Sequence, residues 1–171
     1  MSSVPVSQAT FGFNGFNESD LAKLNSMMAE VTKDLLPRQT GLFHRKVHLE
    51  ILKRVVMRTP VDTGRARGGW QSSVGHIGTG ESSYEGRENA SDPKAPRRAV
   101  GGPAAAHAVN QGVGASAAIQ GYTTSYITNN VHYVKYLEYG SSQQAPQGMV
   151  GVTLIEIGLW LKTNLARLGK K

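Results

Sequence analysis

The 171-residue chain contains no cysteine. That absence removes disulfide scaffolds, thiolate zinc sites and cysteine nucleophiles together. No apolar run approaches the ~20 residues needed to span a bilayer, so no membrane partner is expected. The first ten residues lack the basic-then-apolar pattern of a signal peptide, which fits a protein made and assembled in a cytoplasm. Aromatic residues are sparse at 7% and charged residues at 18%. No GxxxxGK[ST] phosphate loop, nucleic-acid module motif or internal repeat occurs. The twelve acidic residues are scattered rather than paired for acid–base work.

What is there suffices for one folded domain: 39% hydrophobic residues, with twenty clustered glycines pointing to long loops. The net charge is +7, unevenly spread. Arg38, Arg45, Lys46, Lys53, Arg54, Arg58, Arg65 and Arg67 face only Glu50 and Asp62 over that stretch, and Lys94, Arg97 and Arg98 form a second cluster. Such patches can neutralise phosphates. They equally suit a solvated helix face or pairing with acidic groups of a partner subunit.

Residues 1–17 read as an N-terminal arm whose Phe11, Phe13 and Phe16 need a surface to bury them, on a neighbour or on the chain's own domain. Residues 18–171 then form a single α+β domain. Ser19 is a plausible helix N-cap, followed by Leu21, Leu24, Met27 or Met28, Val31 and Leu35 at helical spacing. Pro37 should interrupt this helix. It resumes near Thr40 with an apolar stripe of Phe43, Val47, Ile51 and Val55, and ends at Thr59–Pro60. A strand is expected over 70–77, a long flexible loop over 78–103, an Ala-rich helix over 104–119 and a strand over 122–131. A short helix follows over 132–139. The last helix, 149–168, should turn Val152, Ile155, Leu159 and Leu165 inward. The expected fold is therefore α+β: a long kinked N-terminal helix and a C-terminal helix packed on a small, mainly antiparallel sheet.

Apparent chemical motifs fail on context. His44 and His48 have zinc-pair spacing but enclose Arg45, Lys46 and Val47, with no glutamate between them. They read as two surface histidines, so no metal site is expected. Gly112-Val113-Gly114-Ala115-Ser116-Ala117 matches a dinucleotide fingerprint, yet no apolar strand precedes it. Ser116 lacks the last glycine of a nucleophile elbow. No catalytic residue, metal or cofactor is assigned.

Two runs stand out. Thr59-Pro60-Val61-Asp62-Thr63-Gly64-Arg65 is a helix stop and a turn, with Gly64 free to take positive φ. The second spans 127–149 and contains Asn129, Asn130, Tyr133, Leu137, Glu138, Tyr139 and Gly140, then Pro146, Gly148 and Met149. In this order and spacing the pair resembles the phage tail-completion family that includes the lambda minor tail protein Z. The likeness runs from about Leu42 to Leu165. Ala66 departs from the usual larger apolar residue, and His132 and Val134 from smaller or polar ones.

The resemblance implies a non-catalytic structural virion protein of a tailed bacteriophage, placed in the neck and assembled in the host bacterial cytoplasm. It implies a homo-oligomeric ring, with six copies as the expectation, that completes the tail and helps join it to the head–tail connector and tail terminator. Lys94, Arg97 and Arg98 are then candidates for a subunit interface or a face toward genomic DNA, contacted non-specifically. A tail terminator, head-closure protein or adaptor is the nearest alternative. A DNA-binding packaging accessory protein is a further one.

Overall fold

The computed structural model describes residues 18–84 and 102–168. The N-terminal arm, the central part of the long loop and Lys94, Arg97 and Arg98 lie outside the described residues. The fold is α+β, with a two-stranded antiparallel sheet among its helices. Contacts divide the chain into two units, Met1–Leu36 and Pro37–Lys171.

The first unit holds α1 (Glu18–Glu30) and a π-helical turn, Val31–Leu35. The Leu36 N–H donates to the Val31 carbonyl, five residues back, which closes the wider turn. The expected interruption at Pro37 is corrected here: helix α2 runs Leu36–Arg58 and includes the proline. A proline cannot donate to the carbonyl four residues back. The ladder absorbs that loss in the π-turn before it rather than by breaking.

The second unit continues from α2 through a short helix α3 (Arg65–Gly68) into β1 (Trp70–Val74). Helix α4 (Pro103–Ser116) opens on a proline in its first turn. Strand β2 (Ser125–Asn129), helix α5 (Val134–Glu138) and helix α6 (Val150–Leu168) follow. The strands pair with Trp70 opposite Asn129 and Val74 opposite Ser125. β1 is shorter than expected: Gly75 leaves the extended conformation at φ 79°, its N–H making a last bond to the Thr124 carbonyl at 2.9 Å.

The core joins Leu52, Val55 and Val56 of α2 to Trp70, to Ala105 and Ala108 of α4, and to Ala145 and Met149. Full burial of each large aliphatic side chain contributes about 1.5–3 kcal/mol. Two expected stripes are corrected. On α2 the inward residues are His48, Leu52, Val55 and Val56, whereas Phe43 is exposed. On α6 they are Thr153 and Ile157, while Ile155 and Leu159 are 69% and 63% exposed. Both helices carry apolar residues on more than one side, and one body can cover only one side of each.

The fingerprint-like Gly112 lies inside α4, not in a strand-to-helix turn. A Cβ there would stand 2.0 Å from Leu52 Cδ2 and 3.1 Å from Ser72 Oγ. Glycine at 112 is what lets α4 approach α2 and β1. Among the described residues no helix is long and apolar enough to cross a membrane.

Candidate functional site

The two unusual runs, about seventy residues apart, meet in space. The first begins where α2 stops. Thr59 Oγ1 donates to the Val55 carbonyl at 2.7 Å and accepts the Trp70 indole N–H at 2.7 Å. The Thr59 carbonyl accepts Nε and Nη2 of the buried Arg67 at 3.1 and 2.9 Å. One threonine therefore ties the helix end, the first strand and a buried guanidinium together. The turn proper closes through Gly64 at φ 82°. Thr63 Oγ1 accepts the Arg65 N–H at 3.5 Å, a long contact, and Arg65 pairs with Glu81.

The second run grips that turn. Gln144 clasps Val61 as a strand would, accepting its N–H and donating to its carbonyl, both at 3.1 Å. Asn129 donates to the Ala66 carbonyl at 2.7 Å and accepts the Val131 N–H at 3.2 Å. The Tyr133 hydroxyl reaches the backbone of Ala66; burial pushes its pKa up, with Arg65 pulling the other way. A depression of about 460 Å³ lies between the runs, bordered by Val61, Thr63, Tyr133 and Gln144. Asn130 instead ties the start of the long loop, donating to the Gly78 carbonyl at 3.1 Å.

Glu138 explains the rest of the second run. Its carboxylate accepts the N–H groups of Met149 and Val150 at 2.8 Å and of Gly151 at 2.9 Å. These are donors that the start of α6 leaves without intrahelical partners. Burial alone would raise the Glu138 pKa, but the three N–H groups outweigh it and hold the carboxyl below its ordinary value. Gly148 sits at φ 78°, and a Cβ there would come within 2.3 Å of the Glu138 carbonyl oxygen. Pro146 carries the loop past Gly140, Met149 enters the core, and Leu137 packs against it. Tyr139 stays 88% exposed and joins nothing in this arrangement.

A second feature was misread from sequence. His44 and His48 are not both surface residues: His48 is 4% exposed. Ser125 Oγ lies 2.8 Å from His44 Nε2 and 2.9 Å from His48 Nδ1, and Ser72 Oγ lies 3.0 Å from His48 Nε2. Burial, then the neighbouring His44, lowers the His48 pKa. A serine from each strand satisfies the ring, so a polar residue occupies a core position on α2. Beside these side chains opens a cleft of about 380 Å³ between α2, the two strands and α6, lined by apolar residues and by His44, His48 and Ser125. Thr153 lines it, 1% exposed, and its hydroxyl has no hydrogen-bond partner.

The basic stretch is largely engaged by the chain itself. Arg45 donates to the carbonyls of Ile119 and Ala117 at 2.8 and 2.9 Å, satisfying the end of α4. Arg54 bridges Glu50 and Glu156 at 2.7 and 3.0 Å, and Arg58 also pairs with Glu156. Among the described residues no group of three or more His, Asp or Glu is placed to hold a metal ion. Set against protein-family models, curated proteins and solved structures, the chain matches none.

Proposed function

We propose that this chain is a non-catalytic virion subunit of a tailed bacteriophage, a ring component that completes the tail and joins it to the head connector. The observation that carries the reading is the convergence of the two runs. Gln144 of the second run holds Val61 of the first, Asn129 holds the Ala66 carbonyl just past the first run, and Glu138 closes the second run on the start of α6.

The interlock uses its hydrogen-bonding groups on backbone, which suits a scaffold more than a reaction centre. The internal use of Arg45, Arg54, Arg58, Arg65 and Arg67 leaves that stretch poorly suited to tracking phosphates, so the DNA-packaging alternative gains nothing from it. Deleting the gene from its phage or prophage should yield DNA-filled heads and detached tails in electron micrographs of the lysate. Empty heads alone would point to packaging, and normally tailed infectious particles would refute the neck reading.

A further inference from the structure

We propose that the N-terminal arm of one copy seats its Phe11–Phe16 run in the cleft between α2, the sheet and α6 of a second copy. This rests on the ring reading above and names the contact by which one subunit would hold the next.

Two features of one chain match each other. The cleft is bounded by apolar side chains such as Val47, Ile127 and Leu154, beside His44, His48 and Ser125, and Leu154 is 56% exposed at its edge. The arm, Met1–Asn17, carries no charged side chain at all; every Lys, Arg, Asp and Glu falls after it. It does carry three of the four phenylalanines. A charged segment would suffer a large desolvation cost in this cleft, and a neutral aromatic one does not.

In an extended Phe11-Gly12-Phe13 the two rings share one side. Gly12, lacking a Cβ, lets the backbone come close. A chain of seventeen residues can span at most on the order of 55 Å. An arm of one copy in the cleft of the next is a heterologous contact, the kind that closes rings.

The absence of cysteine makes the test clean. Full-length chains carrying Phe13→Cys or Leu154→Cys alone are mixed and oxidised, and a covalent dimer is expected on a non-reducing gel. Phe13→Cys mixed with the off-cleft Tyr122→Cys should give none. The double variant Phe13→Cys/Leu154→Cys should form a ladder of multimers; a closed intrachain monomer would show docking on the chain's own body and overturn the proposal. No cross-link above the Tyr122→Cys control would overturn it too.

As a second readout, Phe11→Ser/Phe13→Ser/Phe16→Ser should keep the circular dichroism of the parent. It should weaken self-association on the order of 100-fold or more. Unchanged association would sink the arm contact. If that happens while gene deletion still separates heads from tails, the neck reading stands and only the arm fails. Normal particles after deletion would instead remove the neck reading itself.

Discussion

Replacing Glu138 isolates the device that starts α6. Its carboxylate takes three backbone N–H groups, from Met149, Val150 and Gly151. Losing a helix cap costs about 0.5–2 kcal/mol, and losing a charge at a helix N-terminus about 0.3–1 kcal/mol more. Because Glu138 is only partly buried, the lower half of the summed range is appropriate. Glu138→Ala should then destabilise by about 1.5 kcal/mol, a Tm drop of about 3–6 °C for a domain of this size. Glu138→Gln keeps an acceptor oxygen and loses the charge, so about 1 kcal/mol is expected.

The pH dependence separates cap from packing. The folded-state pKa of Glu138 is lowered, so its contribution is complete above the ordinary carboxyl range and is lost as pH falls through the folded value. The gap between parent and Glu138→Gln in urea unfolding should therefore be constant from pH 7 to about 5 and narrow below about 4.5. Glu156, whose pKa is also lowered, titrates in both proteins and cancels in the difference. Equal stability of the parent and Glu138→Ala at pH 7, or a gap that does not narrow in acid, would refute this account.

Two more outcomes follow from the buried contacts. The lowered His48 pKa means the unfolded chain binds more protons just below pH 6.5; stability should be full above that value and fall with acid by up to ~1.4 kcal/mol per pH unit. His48→Gln should be less stable at pH 7.5 and flatter between pH 5 and 7 in denaturant titrations. Gly112→Ala should cost about 1–3 kcal/mol by overpacking against Leu52. In combination with Leu52→Val it should cost less than the two single changes added, and strict additivity would show that the contact at Leu52 is not what constrains the glycine.

Element order was legible because the punctuation is strong. Pro60 after α2, Gly140 after α5 and Pro103 at the head of α4 all sit where their backbone preferences place them. Which face of each long helix turns inward was not legible. On α2 a histidine holds a core position because Ser72 and Ser125, on two strands remote in sequence, satisfy its ring. Nothing local announces that. At α6, Met149 just before the helix, Thr153 and Ile157 compete with Val150, Leu154, Ile155 and Leu159, and the more hydrophobic set lost. At the meeting of the two runs, the importance of Pro60 and Gly64 was readable from turn chemistry. The reach of Gln144 to Val61, and of Arg67 to Thr59, required the fold.

That lost competition bears on function. A helix whose more apolar side faces outward violates the rule that burial follows hydrophobicity, unless the outward side is covered in the working state. The residues that carry the resemblance cannot supply the missing cover, since Glu138, Asn129 and Gln144 are committed to backbone groups of this chain. They define a scaffold, and what the scaffold serves lies in the apolar faces it leaves open. A subunit that repeats around an axis needs two of them per copy, one to offer and one to receive.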